Sequence, residues 1–502
     1  MDPTAAKPSE PRDEAVARRR RRIEQLLSAA PGERLGTVTL AGGRTLEYLA
    51  QAAFVPVHAD GVDAGEPQAA VMVTSYQLKG ASPAARPVCF AFNGGPGSAS
   101  IWLQLGALGP RRVVVPDDAA AARPPHALSD NPHTWLEHFD LIFVDPPHTG
   151  WSVALDDVPR KKMLSVDGDV AALAEVIRVW LTRHRRWGSA LYLAGESYGT
   201  TRAAALADKL QSGGVDVSGV VLVSCAMDLQ TLVFAPRNDL PHALFLPAFA
   251  NTAQYHGLLR GAVAKSPEAA RAAAEAFVAD DYVSALHAGS LLGEARRTRL
   301  ARRIAELTGL PRALVEEKNL RIDAETYFFD AMRAQGRIVG RLDSRGTAPM
   351  AARRTREWEF DPGIEAIAPA YTMAALDFFS GELGIGREER YEVLSHAVHK
   401  QWNWNRGEDR GNGFACTSPD LARALRRNPH LKVLVASGRY DLGTPYSASD
   451  WSLAQLDAPA EVLARITHRY YDAGHMMYTR QADLVQMKAD LAAWLQGGGA
   501  AP

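Results

Sequence analysis

The chain has 502 residues, 47% of them hydrophobic and 23% charged, proportions that exclude a chain disordered throughout. Its 56 lysines and arginines stand against 57 aspartates and glutamates, a formal charge of −1, so no surface-wide field recruits nucleic acid or an anionic membrane. Three scattered cysteines, Cys89, Cys225 and Cys416, are too few for a disulfide framework or a four-ligand zinc site; no metal and no other cofactor is expected.

Residues 1–33 form a polar segment whose arginine run, Arg18 to Arg22, reads as the solvated start of a short helix. Glu24, Gln25 and Ser28 break the apolar stretch that a secretory signal would need after it, and no run of about 18 apolar residues occurs to span a membrane. A cytoplasmic protein without a membrane partner is expected. The oligomeric state is open, a homodimer included, and residues 496–502 read as a frayed tail.

From Thr37 to Leu78 β-branched and polar residues alternate between glycine-rich breaks, which predicts an antiparallel meander. The pattern then changes to short, almost continuously apolar runs: 87–92, 139–144, 190–194 and 219–224. Strands buried on both faces read this way. Helical periods over 166–184 and 200–210 lie between the later runs, and strand–helix alternation of this kind predicts a parallel sheet covered on both sides. Residues 236–406 carry few strand-like runs and many Ala/Arg/Glu-rich helical ones, such as 267–278 and 294–307. The strand signature resumes at 431–436 and 466–471, and a helix over 481–495 closes the chain. The predicted architecture is therefore one mostly parallel α/β core, 34–235 with 407–497, interrupted by a helical insertion, 236–406. Such an insertion covers the carboxyl ends of the strands, where α/β proteins bind ligands.

The apolar run ending at Ala194 leads directly into Gly195-Glu196-Ser197-Tyr198-Gly199 and then a helix. Gly-x-Ser-x-Gly between strand and helix is a nucleophile elbow: the glycines permit the tight turn and the serine is held up at the sheet edge. The alternative is a glycine-rich turn with a serine helix cap. A serine hydroxyl needs a base, and the base an orienting acid, in the chain order Ser, Asp, His, each just past a strand. Asp441 follows the run beginning at Leu431, and His475 follows the run beginning at Ile466. His468 lies within a strand run, Asp472 reads as a turn residue, and His396 and His399 fall in the insertion. Backbone amides must also face the developing oxyanion, each worth about 3 kcal/mol. Tyr198, after the nucleophile, offers one; Gly95, in Asn93-Gly94-Gly95-Pro96-Gly97 after an early strand, offers the other.

Together these motifs resemble the serine carboxypeptidase family (peptidase family S10), in a bacterial-type form. They are FNGGPGSAS and LGALGP (105–110), VDPPHTGWS (144–152), GESYG (195–199), SGRYDLGTPY (437–446) and AGHMMY (473–478). The resemblance implies an α/β-hydrolase fold with a helical cap, a triad of Ser197, Asp441 and His475, and an oxyanion hole from Gly95 and Tyr198. It implies a peptide substrate whose C-terminal carboxylate is held by Asn93 and Glu196 beside Gly94, with Met476 helping to form the leaving-residue pocket. Glu196 must be protonated to donate to a carboxylate, which implies a raised pKa. Three positions depart from the family: Ala91 for a tryptophan, Ser98 for a cysteine, and Ala107 for a glutamate that shares a proton with the elbow glutamate. The last removes one cause of a raised pKa on Glu196, so weaker carboxylate recognition or a more neutral optimum is expected. An esterase or acyltransferase with the same triad, and a catalytically silent binding protein, are the alternatives. His148 could contact substrate or be structural, and Trp402 and Trp404 could line the cleft or pack against the core.

Overall fold

The computed structural model describes residues 12–58, 65–82, 86–155, 163–406 and 413–497. Residues 1–11 and the tail beyond Gly497 lie outside the described residues.

One ten-stranded sheet organises the molecule. Strands β1 (Gly32–Thr39), β2 (Thr45–Val57) and β3 (Ala69–Leu78) form the antiparallel meander. β4 (Val88–Phe92), β5 (Asp140–Val144), β7 (Leu191–Glu196), β8 (Gly219–Val223), β9 (Lys432–Gly438) and β10 (Ile466–Tyr471) run parallel to one another. The short β6 (Val153–Ala154) pairs with β3. The order across the sheet is β1-β2-β3-β5-β4-β7-β8-β9-β10. The chain leaves β4 for β5 on one side and later returns to β7 on the other, so the strand order reverses at β4/β7. Ligand clefts in open α/β sheets lie at such a point. This is an α/β-hydrolase fold.

Alternation along each parallel strand divides the core into two layers. Val88, Phe90, Phe92, Val220, Leu222, Val433 and Val435 face the layer built with α2 (Val166–Arg183), α3 (Tyr198–Ser212) and α8 (Ser418–Arg427). Cys89, Ala91, Val221, Val223, Leu434 and Ala436 face the opposite layer, closed by α1 (Arg12–Ser28) and α10 (Gln481–Leu495). The continuous apolar runs of the sequence have this cause: both faces are buried. Helix α1 is longer than the arginine run suggested. Ile23 and Leu26 are buried beneath it, and Arg22 pairs with Glu389, so it docks on the core rather than standing in solvent.

The predicted insertion holds two packing units. Helices α4 (Leu240–Tyr255), α5 (Pro267–Phe277) and α6 (Glu294–Thr308), with the chain to Val339, share a separate hydrophobic cluster and form the cap. Helix α7 (Ala368–Asp377) and the residues to Tyr391 belong instead to the core, where Tyr371, Phe378 and Phe379 sit against the sheet. At the start the boundary also moves: β1 begins at Gly32, within the segment read as an N-terminal arm.

At the opening of β5, the buried Asp140 carboxylate accepts from the Leu78 amide (2.9 Å), Arg86 Nε (2.7 Å) and Arg186 Nη1 (2.6 Å), tying three stretches of chain to the sheet. Removing one partner of a buried charge cluster leaves the others uncompensated. Asp140→Asn is expected to lose about 3 kcal/mol of unfolding free energy, read as a lowered midpoint in urea titration.

Candidate active site

Every predicted site residue leaves the same edge of the sheet. Asn93 to Gly97 follow β4, Ser197 follows β7, Asp441 follows β9 and His475 follows β10. The neighbouring strands β4 and β7 bring the glycine loop and the serine turn together.

The turn at Ser197 has φ +60° and ψ −128°, a conformation that a side chain adopts only under constraint. Its surroundings supply the constraint. The Ser197 amide donates to the Val223 carbonyl (2.9 Å), and its own carbonyl accepts from the Thr200 amide (2.8 Å) and hydroxyl (2.6 Å). No Cβ fits at the flanking glycines: on Gly195 it would strike the Gly199 carbonyl, and on Gly199 it would stand 2.6 Å from the Phe92 carbonyl oxygen. Gly94 is equally confined, against the Tyr198 amide nitrogen, with the Gly199 nitrogen at 2.7 Å from its would-be Cβ. The glycine loop therefore lies directly on the first turn of α3. Gly95 is exposed, at φ +104°, while its neighbours are buried. Among the described residues no acceptor takes the amide protons of Gly95 or Tyr198, so two free donors stand side by side next to the serine.

Asp441 and His475 meet. His475 Nδ1 lies 2.7 Å from Asp441 Oδ2, and Asp441 also accepts from the amides of Gly443 (2.7 Å) and Thr444 (3.0 Å) and the Thr444 hydroxyl (2.6 Å). Burial would push the Asp441 carboxyl up, but the imidazole and these donors outweigh it and hold the group below its ordinary value. For His475 burial works downward, and the Asp441 carboxylate, aided by Glu196, reverses it; its pKa rises. The Asp441 contact takes Nδ1 and leaves Nε2 for a reacting group. Among the described residues no hydrogen bond joins the Ser197 hydroxyl to His475; nucleophile–base bonds of this kind often tighten only once substrate binds.

Asn93 and Glu196 also meet. Asn93 Nδ2 donates to Glu196 Oε1 at 2.8 Å, and the Tyr478 hydroxyl donates to Oε2 at 2.7 Å. Burial pushes the Glu196 carboxyl up to about 7, against the nearby imidazole and these two donors. Ala107 lies in the core with no acidic group at its place; desolvation, aided by the Asp441 charge, keeps Glu196 high. Beneath Asn93, Arg202 of α3 donates to its carbonyl (2.6 Å), pairs with Asp169 of α2 (2.7 Å), and lies 5.3 Å from the ring centroids of both Phe92 and Tyr198.

The remaining candidates are more peripheral. Met476 is buried in the core layer behind His475. Trp402 and Trp404 pack edge-on against the Tyr198 ring, at 5.2 and 5.7 Å, instead of standing free in the cleft. His148 is half-buried in the turn after β5, at φ +67°. His468 joins a second Asp–His–Ser line, with Asp450 Oδ1 at 3.0 Å and Ser437 Oγ at 2.9 Å, but Ser437 is fully buried within β9 and out of a substrate's reach. Thr444, Arg202, Asp169 and Tyr478 are the site's supporting residues that sequence reasoning missed. Only Thr444 carried a local signal, a hydroxyl three residues after an aspartate at a turn.

Residues 72–228 match the model of the serine carboxypeptidase family, peptidase S10. Among curated proteins the chain is similar to the pheromone-processing carboxypeptidase KEX1 of Yarrowia lipolytica, 31% identical over 140 residues. That match covers 27% of this chain and 21% of the relative's length. Among solved structures it is similar to a proline iminopeptidase from Mycobacterium smegmatis (TM-score 0.38, 13% identity, 89% of this chain and 99% of that one). It is similar also to an acetylester hydrolase from Corynebacterium glutamicum (TM-score 0.35, 13% identity, 93% and 96%).

The glycine loop and elbow make a direct prediction. Gly199→Ala forces a methyl group against the Phe92 carbonyl and the Asn93 backbone, neither of which can rotate away. A loss of about 1–3 kcal/mol, seen as a lowered Tm, is expected together with slower labelling of Ser197 by a fluorophosphonate.

Proposed function

We propose that the protein is a serine-type carboxypeptidase, a serine hydrolase that removes C-terminal residues from peptides through an acyl-enzyme on Ser197. The observation that carries this reading is the pairing of two buried carboxyls held in opposite states: Asp441 ionised on the imidazole, Glu196 raised toward neutral on the Asn93 amide. A general serine hydrolase needs the first. A site that accepts a negatively charged substrate end has use for the second.

In this reading His475 Nε2 takes the Ser197 proton as the hydroxyl attacks the scissile carbonyl, and the Asp441 carboxylate steadies the imidazolium that forms. The Gly95 and Tyr198 amides receive the oxyanion. The proton passes to the leaving amino group, and water, deprotonated by the same imidazole, then releases the acyl group. Protonated Glu196 donates to the carboxylate of the departing residue, and the second N–H of the Asn93 amide serves the same oxygen pair.

The chemistry sets the pH dependence. His475 must be neutral, so activity is lost as pH falls through its raised pKa. Glu196 must be protonated, so binding of a free carboxylate is lost as pH rises through about 7. For a peptide with a free C-terminus, kcat/KM is expected to follow a narrow bell near neutral pH. The two groups interact and titrate as a pair, so the limbs belong to the pair. The C-terminal amide of the same peptide should be cleaved far more slowly and show only the acid limb. Equal cleavage of acid and amide, or a preference for simple esters, would favour the esterase or acyltransferase reading. Ser197→Ala should lower kcat on the order of 10⁴-fold or more and abolish fluorophosphonate labelling. Labelling that is absent from the folded wild type would favour a silent binding protein.

A further inference from the structure

Glu196 is enclosed by groups from four parts of the chain. Asn93 approaches after β4, Asp441 after β9, His475 and Tyr478 after β10, and Tyr371 from α7. Among the described residues only Asn93 and Tyr478 hydrogen-bond its carboxyl, one on each oxygen. Tyr478 is fully buried and its hydroxyl is aimed at Oε2 over 2.7 Å. Gly106 fixes that aim: a Cβ there would strike the Tyr478 ring and stand 2.5 Å from the Tyr371 hydroxyl, so both rings lean on a bare backbone. Among the described residues the buried Tyr371 hydroxyl has no hydrogen-bond partner, and Glu196 has two neutral donors and no fixed cation.

We propose that Tyr478 is a positioning residue for Glu196: its phenol fixes the carboxyl and favours the ionised form, so it sets the pH above which the site refuses a free C-terminal carboxylate. The inference rests on the carboxypeptidase reading for its effect on substrates, but not for its effect on Glu196. A phenol O–H can donate to a carboxylate and stabilises it; protonation of Glu196 reverses the bond, the carboxyl then donating to the phenol or to substrate. Tyr478 therefore opposes burial, which acts to keep the carboxyl neutral. It holds the group where a modest change of pH switches it.

The test compares wild type with Tyr478→Phe on one peptide presented as the free acid and as the amide. A hydrogen bond to a charged group is worth about one pKa unit or more. The alkaline limb of kcat/KM for the acid should therefore move up by about one pH unit, through KM and not kcat, while the amide profile stays in place. A limb that does not move, or moves down, overturns the proposal. So does an equal shift on both substrates, which would mean that the phenol acts on His475. If wild type does not distinguish acid from amide, the carboxypeptidase reading fails on its own. The link to Glu196 is then decided by 13C NMR of δ-13C-glutamate-labelled protein, assigned with Glu196→Gln. The Glu196 midpoint should rise in Tyr478→Phe, and an unchanged midpoint overturns the proposal. Should Tyr478→Phe fail to fold, 3-fluorotyrosine placed at 478 keeps the shape and donates more strongly. It should move the limb and the Glu196 midpoint down, and no movement overturns the proposal equally.

Discussion

The site depends on two backbones brought into contact where β4 and β7 end. Gly94 against the start of α3, Gly199 against the Phe92 carbonyl, and Gly195 against Gly199 leave no space for a single extra carbon. Main chain on main chain is stiffer than any side-chain contact, because no rotamer can relieve it. That stiffness holds Ser197 at φ +60°, a strain of order 1–3 kcal/mol that persists only where the surroundings over-determine it. The Gly95 and Tyr198 amides beside the serine are left without an acceptor among the described residues. The Arg202–Asp169 pair reinforces the arrangement from below: one guanidinium on the helix that follows the serine, out of water, grips the Asn93 carbonyl and Asp169 of α2.

Around this rigid centre, environment assigns opposite duties to chemically similar groups. Asp441 and Glu196 are both buried, so desolvation works against ionisation of each. Asp441 receives four hydrogen bonds, one from an imidazole that becomes charged, and stays ionised. Glu196 receives two from neutral groups, and burial prevails. Pairs of titratable groups pushed apart in this way can divide acid and base roles without any change of functional group.

Much of this was legible in the sequence because it is local. Apolar runs such as 87–92 and 219–224 announce strands buried on both faces, and the sheet interleaves them that way. The elbow, the glycine loop and the Asp–His order are short motifs whose geometry follows from neighbouring residues. The division of the helical insertion was not legible. Tyr371, Phe378 and Phe379 lie in a helical stretch composed much like the cap's, yet they pack on the sheet, and periodicity says that a helix has a buried face without saying which partner buries it. Arg202, Thr444 and Tyr478 were missed for a related reason. Their roles arise from pairings across the fold, and a lone arginine or tyrosine in a helical or turn context carries no mark of them. Likewise, Ala107 removed one expected cause of a high Glu196 pKa, but the depth of the pocket, which sequence does not express, supplies another.

The segment that leaves the cap links its two ends to the chemistry. The Leu342 carbonyl accepts from the His475 amide (2.6 Å), the Arg341 carbonyl from Leu442 (2.9 Å), and Ser344 donates to the Tyr440 carbonyl through both its amide (3.0 Å) and its hydroxyl (2.9 Å). Ser344 is bound in turn to Thr252 and His256 of the cap. The loops carrying the acid and the base are thus strapped to the lid rather than standing free on the sheet. Local melting of that helical unit would slacken the Asp441–His475 alignment while the strands remained folded.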